Sequence, residues 1–402
     1  MTAARRPRAR IPGRRALVLA ATLVTAGVGL APGEAAAAGI AGPCAISARP
    51  GTGEGPQNGE HINPLGHRRA TMLMVDFADR PARNRAESRA KFFSGYGDEY
   101  IERASYGKYR LRLDHTGWIR MPHRWSSYGI DRGVPERLMR RYVRDALEAA
   151  RERGADLGGT DLVFVVADDN VPAPPTVSQA STFDELRAGG TSVRGAALVF
   201  GRRADSALWQ RGNFVHEANH LYGLPDLYNV ERNASVEYAG GWDTMSMAGI
   251  SDLLGWHKWK FGWIDGDRVH CTPPGATEEV RLDPVGSRGA KIAVVRTGPH
   301  RALVAEARSR TGLDAPICRE GVLLYTVDSR TATGRGPVRV VDSRPDSRGG
   351  THCGNRAPAE LAELADAPFA PGERHTFGNG ARVEVLGKED SGYRVRMQAP
   401  ER

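Results

Sequence analysis

The stretch Asn213-Phe214-Val215-His216-Glu217-Ala218-Asn219-His220-Leu221-Tyr222-Gly223-Leu224-Pro225-Asp226 contains the residue types and spacing of a metal site. Positions i and i+4 share one helix face, so His216 and His220 can point two imidazoles at one ion. Glu217, beside the first imidazole, can reach a coordinated water without itself taking a ligand position. Gly223 permits the left-handed backbone that ends a helix and turns the chain back. That turn would bring the Asp226 carboxylate round as third ligand. Three protein ligands and one open position make the arrangement of a catalytic Zn2+, which lowers the pKa of a water toward about 7 and polarises a carbonyl. Glu217 would then serve as general base and return the proton to the leaving group. Tyr228, two residues past the proposed ligand, is a candidate oxyanion donor, with packing beside the turn as its plainer role. Tyr222 reads as a core or wall residue.

The extended string H-E-x-x-H-x-x-G-x-x-D resembles the metzincin clan of zinc peptidases. Its longer form, His216 to Tyr228 with Leu-Pro-Asp-Leu-Tyr after the glycine, is similar to the secreted bacterial immune inhibitor A-type metallopeptidases. Two further blocks carry the likeness: Gly240-Gly241-Trp242-Asp243-Thr244-Met245-Ser246, and the Trp-rich segment from Gly255 to Ile264. The resemblance implies a zinc endopeptidase with His216, His220 and Asp226 as ligands, Glu217 as catalytic base, and Met245 as a Met-turn floor under the ligands. It covers residues 211–264 strongly and the segments 73–79 and 104–108 more weakly. Asn219 stands where Gly is common, and the third ligand is Asp where many metzincins have His. Glu231 and Glu237 are rival third ligands of the thermolysin-like kind, but Gly240-Gly241 disfavours a helix around Glu237.

Other polar groups have plainer interpretations. His257, between Trp256 and Trp259, reads as a packed histidine. Asp168-Asp169-Asn170 at a strand end could contribute to a Ca2+ site, although a lone acidic turn is more often only a turn.

The elements that must position these residues follow from apolar patterning. Residues 71–77 and 161–167 read as buried strands, with 196–200 a third strand just before the metal helix. Helices are expected over 87–104 and from Pro135, where Leu138, Met139, Tyr142, Val143, Ala146, Leu147 and Ala150 recur at helical spacing before Gly154. The resemblance implies an edge strand above the metal helix that pairs with an extended substrate; residues 193–200 are the candidate for it, with Gly195 leaving room for a foreign backbone, and an interior strand is the alternative. After Ile264, seven short β-type runs (279–283, 291–296, 302–307, 322–327, 338–341, 382–386 and 393–397) suit a β-sandwich. The expected fold is thus α+β: a metzincin-like catalytic domain at 67–265 and a β-rich C-terminal domain at 266–402, of accessory or substrate-docking role. Residues 39–66, rich in Gly and Pro, read as an extended mature N-terminus that Cys44 could pin.

Residues 1–38 read as a signal peptide: Arg5, Arg6, Arg8, Arg10, Arg14 and Arg15, then an apolar run, then small residues at 35–38. The run is short for a stable membrane span, and a secreted protein is expected; Arg14-Arg15 leaves the export route open. The formal charge of +9 includes six arginines and one glutamate within 1–38, so only +4 remains afterwards. That balance, with no nucleic-acid signature, does not argue for nucleic acid, and the resemblance implies a protein or peptide substrate. Cys44, Cys271, Cys318 and Cys353 lack metal-ligand spacing and suit two disulfides, with three connectivities open. Two rival functions remain: an inactive binding or adhesion protein on the same fold, and a zinc hydrolase acting on a non-peptide bond.

Overall fold

A computed structural model describes residues 39–401 except 233–236, 250, 288, 346, 348 and 350–362. The expected signal peptide lies outside the described residues. Among those described, no helix is long and apolar enough to cross a membrane.

The chain is a mixed α+β protein. Its first sheet has the order β2-β1-β4-β6-β5, built from β1 (Gly66–Asp76), β2 (Tyr109–His115), β4 (Leu162–Ala167), β5 (Gln179–Ala188) and β6 (Thr191–Val199). The short β3 (Ile119–Arg120) pairs with the end of β1. All pairings are parallel except β5 with β6, which is antiparallel. The central strands are continuous apolar runs because both faces are covered, as parallel sheets require. Period-two alternation then divides their side chains. Met72, Met74, Phe164 and Val166 join α1 (Ala86–Ala104) and α4 (Ala207–Leu221) in one core. Leu73, Val75, Val163 and Val165 join α3 (Glu136–Glu152) in another. A one-turn helix, α2 (Trp125–Tyr128), leads into α3, and α5 (Gly255–Lys260) follows α4.

The edge expected at 193–200 is corrected by this topology. Strand β6 is paired on both sides, and β5 forms the edge. Gly195 offers no room for a foreign backbone either, since a Cβ there would stand 3.3 Å from Leu162 and 3.4 Å from Leu221.

Beyond α5 the chain forms two antiparallel-rich sheets. One, ordered β12-β11-β10-β9-β7, contains β7 (Val269–Cys271), β9 (Ile292–Gly298), β10 (Arg301–Arg308), β11 (Gly321–Asp328) and β12 (Val338–Val341). The other, ordered β13-β14-β15-β8, contains β8 (Thr277–Leu282), β13 (Arg374–Thr376), β14 (Arg382–Glu389) and β15 (Gly392–Gln398). Val295, Leu303 and Leu324 of the first share a core with Leu282, Val383 and Val395 of the second. The opposite face of β9–β11, through Val294, Val304 and Tyr325, belongs to the same core as α4 and α5. Packing therefore continues across residue 266.

The segment 39–66 is anchored to the fold, with Cys44 as one pin. Ile40, Cys44, Ile46 and Ile62 are buried in the main core. Cys44 is disulfide-bonded to Cys271 across 227 residues. Cys318 is also in a disulfide, and Cys353 lies outside the described residues.

Candidate metal centre

Helix α4 is N-capped by Ser206, whose hydroxyl accepts from Trp209 N–H at 3.5 Å. It stops in a Schellman turn: Leu224 N–H donates to Asn219 C=O at 3.1 Å and Gly223 N–H to His220 C=O at 2.9 Å. Gly223 has φ +93°, the left-handed conformation that closes this turn without a Cβ penalty. The buried Lys260 ammonium donates to the Gly223 carbonyl at 2.7 Å and so fixes the turn from below.

The turn brings the three expected ligands together. His216 Nε2 lies 3.1 Å from Asp226 Oδ1, His220 Nε2 lies 3.2 Å from the same oxygen, and the two Nε2 atoms are 3.1 Å apart. The second ring nitrogens determine the tautomers. His216 Nδ1 donates to Thr244 C=O at 3.0 Å and His220 Nδ1 to Leu224 C=O at 2.8 Å. A carbonyl can only accept, so in the neutral rings both Nε2 atoms present lone pairs to each other and to a carboxylate oxygen. Three electron-pair donors this close require positive charge among them. Donors about 2.0–2.1 Å from one tetrahedrally bound zinc stand about 3.3–3.4 Å apart, near the spacing here. The residues therefore fit a zinc ion. Among the described residues this is the one group of three or more His, Cys, Asp or Glu side chains so gathered.

The same electrostatic demand appears in the protonation equilibria. Burial alone would lower His220, but Asp226 outweighs it and raises the imidazole to about 9. Burial would raise Asp226, yet His220 and His216 hold it well below the usual carboxylate range.

Glu217 is buried, 4% exposed, and its Oε1 accepts from Asn213 Nδ2 at 3.2 Å. Its Oε2 is buried with no hydrogen-bond partner. Burial pushes this carboxyl above its ordinary value, with the two imidazoles pulling the other way. All four residues line a cleft of about 340 Å3, together with Tyr228, Arg132, Thr333, Thr52 and the start of β5 at Gln179–Thr182. Arg132 donates to the Tyr228 hydroxyl at 3.2 Å, its guanidinium 5.6 Å from the ring centre, and the Tyr228 ring lies 6.2 Å from that of His216. Burial, then the Asp226 charge, raises the Tyr228 phenol, so it remains protonated at neutral pH.

Met245 is fully buried, and its carbonyl accepts from Leu227 N–H at 2.9 Å, tying that turn to the strand of chain after Asp226. Asp243 organises the turn by accepting from Met245 N–H at 2.7 Å and Leu254 N–H at 2.7 Å. Tyr222 is a core residue, its hydroxyl accepting from Tyr109. Glu231 pairs with Arg335 and Glu237 with Arg232 and Asn229, away from the imidazoles. Asp168 is occupied as a turn anchor: it accepts from Asn170 N–H at 3.1 Å and from the Asn84 side chain at 3.2 Å.

Sequence patterning does not single out Arg132, Gln179 or Thr333, since each is one polar residue in an irregular segment. It also misses the setting of His257, which is fully buried between Glu54 Oε1 at 2.9 Å and Asp243 Oδ2 at 2.8 Å. Compared with protein-family models and with curated proteins, the chain gives no match.

Proposed function

We propose that this protein is a secreted zinc-dependent endopeptidase with a metzincin-like catalytic region and a C-terminal β-sandwich. The observation that carries this is the triangle of His216, His220 and Asp226 beside a buried carboxylate with one unpartnered oxygen, all in one cleft. When bound by those three residues, zinc supplies Lewis acidity toward a water and toward a substrate carbonyl. Glu217 takes the proton from the attacking water and delivers it to the departing amine; its raised pKa suits both exchanges. Tyr228 donates its phenolic proton to the developing oxyanion while Arg132 holds its oxygen. The edge strand β5 offers unpaired backbone groups along the cleft, to which an extended peptide can add as a further strand. This favours a protein or peptide substrate. Met245 serves as the Met-turn residue, and removal of residues 1–38 on export leaves a disulfide-bonded mature chain, as the Cys44–Cys271 bond suits.

The test is casein hydrolysis by the mature protein with and without a chelator, followed by zinc readdition. Chelator-sensitive, zinc-restored cleavage supports the proposal. Zinc binding without cleavage of casein or of any peptide would point to a binding protein or another hydrolase.

A further inference from the structure

The three proposed ligands differ in what holds them. His216 and His220 are fixed by α4 and by carbonyls of residues 244 and 224. Asp226 lies beyond the helix, on a short side chain whose direction follows its backbone. Both backbone polar groups of Asp226 are engaged by a single turn more than a hundred residues later, between β11 and β12. Asp226 N–H donates to Thr333 Oγ1 at 2.8 Å, and Asp226 C=O accepts from Gly334 N–H at 2.9 Å. The turn continues along the same segment. Gly334 C=O accepts from Val230 N–H at 3.3 Å, and Arg335 pairs with Glu231 at 2.5 Å. Gly334 has φ +69°, and a Cβ there would stand 2.3 Å from Val230 Cγ1, so the approach needs glycine. Thr333 itself lines the cleft.

We infer that Thr333 and the turn it begins are a positioning element for the third metal ligand, which makes the C-terminal β region part of the metal centre rather than an appendage. This rests on the zinc reading above. Thr333 touches neither metal nor substrate in this role; it sets the backbone at residue 226 and thereby the direction of the carboxylate. Partners of this kind commonly change metal affinity about 10–100-fold when removed.

The experiment compares the full mature chain with Thr333→Val, which keeps shape but loses the acceptor, and Thr333→Ser, which restores it. Zinc affinity is measured by chelator competition, the metal-free melting temperature is recorded for each, and the cobalt-substituted forms are compared by visible absorption. Thr333→Val should bind zinc about tenfold more weakly, with a shifted cobalt band and an unchanged metal-free melting temperature; Thr333→Ser should return to within about twofold of the parent. A Val variant that matches the parent in affinity and cobalt spectrum overturns the inference, as does a loss of affinity that only tracks lower metal-free stability. A parent that binds no zinc removes the metal reading, and this inference with it.

Discussion

Replacing Glu54 by Gln tests the buried charge arrangement around His257. His257 is fully buried, with Glu54 on one ring nitrogen and Asp243 on the other. Burial alone would depress it, but Asp243 and Glu54 push the imidazole from 6.5 to about 10. Burial likewise opposes Glu54, yet His257 holds its carboxyl below the usual value. A pKa raised on folding adds stability that is complete below 6.5 and is lost as pH climbs through about 10. At about 1.4 kcal/mol per pH unit, the window bounds the loss at roughly 5 kcal/mol. The parent should therefore weaken steadily across the alkaline range. Glu54→Gln keeps an acceptor for Trp256 Nε1, now 2.9 Å from the carboxylate, but removes one of the two charges. Breaking a buried pair costs about 3–5 kcal/mol, and the remaining Asp243 places this variant at about 3 kcal/mol. Its pH dependence above neutrality should also flatten, because His257 loses part of what raised it. Urea midpoints at several pH values between 6.5 and 10, with chelator present throughout, measure both effects. A variant within about 1 kcal/mol of the parent, together with a parent whose stability does not change over that range, would refute a charged His257.

Two shorter predictions concern the cleft. Asp226→Ala should release zinc to a competing chelator far more readily than the parent, whereas Glu237→Ala should retain it, because Glu237 is engaged with Asn229 and Arg232; equal losses would remove Asp226 from the ligand set. Tyr228→Phe should lower kcat by about 10² with little change in KM, since an oxyanion donor acts in the transition state. A raised KM at constant kcat would instead make Tyr228 a substrate-packing residue.

The candidate ligand set is legible in sequence because its geometry is local. Spacing of i and i+4 along α4, a glycine at the helix end and an aspartate three residues later suffice to gather His216, His220 and Asp226. Strands β1, β4 and β6 are legible for a similar reason: burial on both faces leaves uninterrupted apolar runs. The edge strand β5 is not, because Gln-Ala-Ser-Thr-Phe-Asp-Glu-Leu-Arg-Ala lines a polar cleft on part of its length and carries an irregularity between Thr182 and Leu186. The N-terminal segment is legible in part, with Cys44 as an expected pin. Its Gly and Pro content marks irregular backbone correctly, but its anchoring comes from single residues meeting partners more than two hundred positions away, as in Glu54 with His257 and Cys44 with Cys271. Thr333 is hidden in the same way, since its importance lies wholly in where the turn lands.

The central claim is that Glu217 moves protons beside a metal it does not bind. The most direct measurement pairs zinc content with peptide hydrolysis for Glu217→Gln and His216→Ala. The Gln variant should keep one zinc per chain and its fold while losing at least about 10² in rate, because the amide cannot accept the proton. His216→Ala should lose metal and activity together. A Glu217→Gln protein that cleaves casein at close to the parent rate, or one that sheds its zinc as His216→Ala does, would contradict the account.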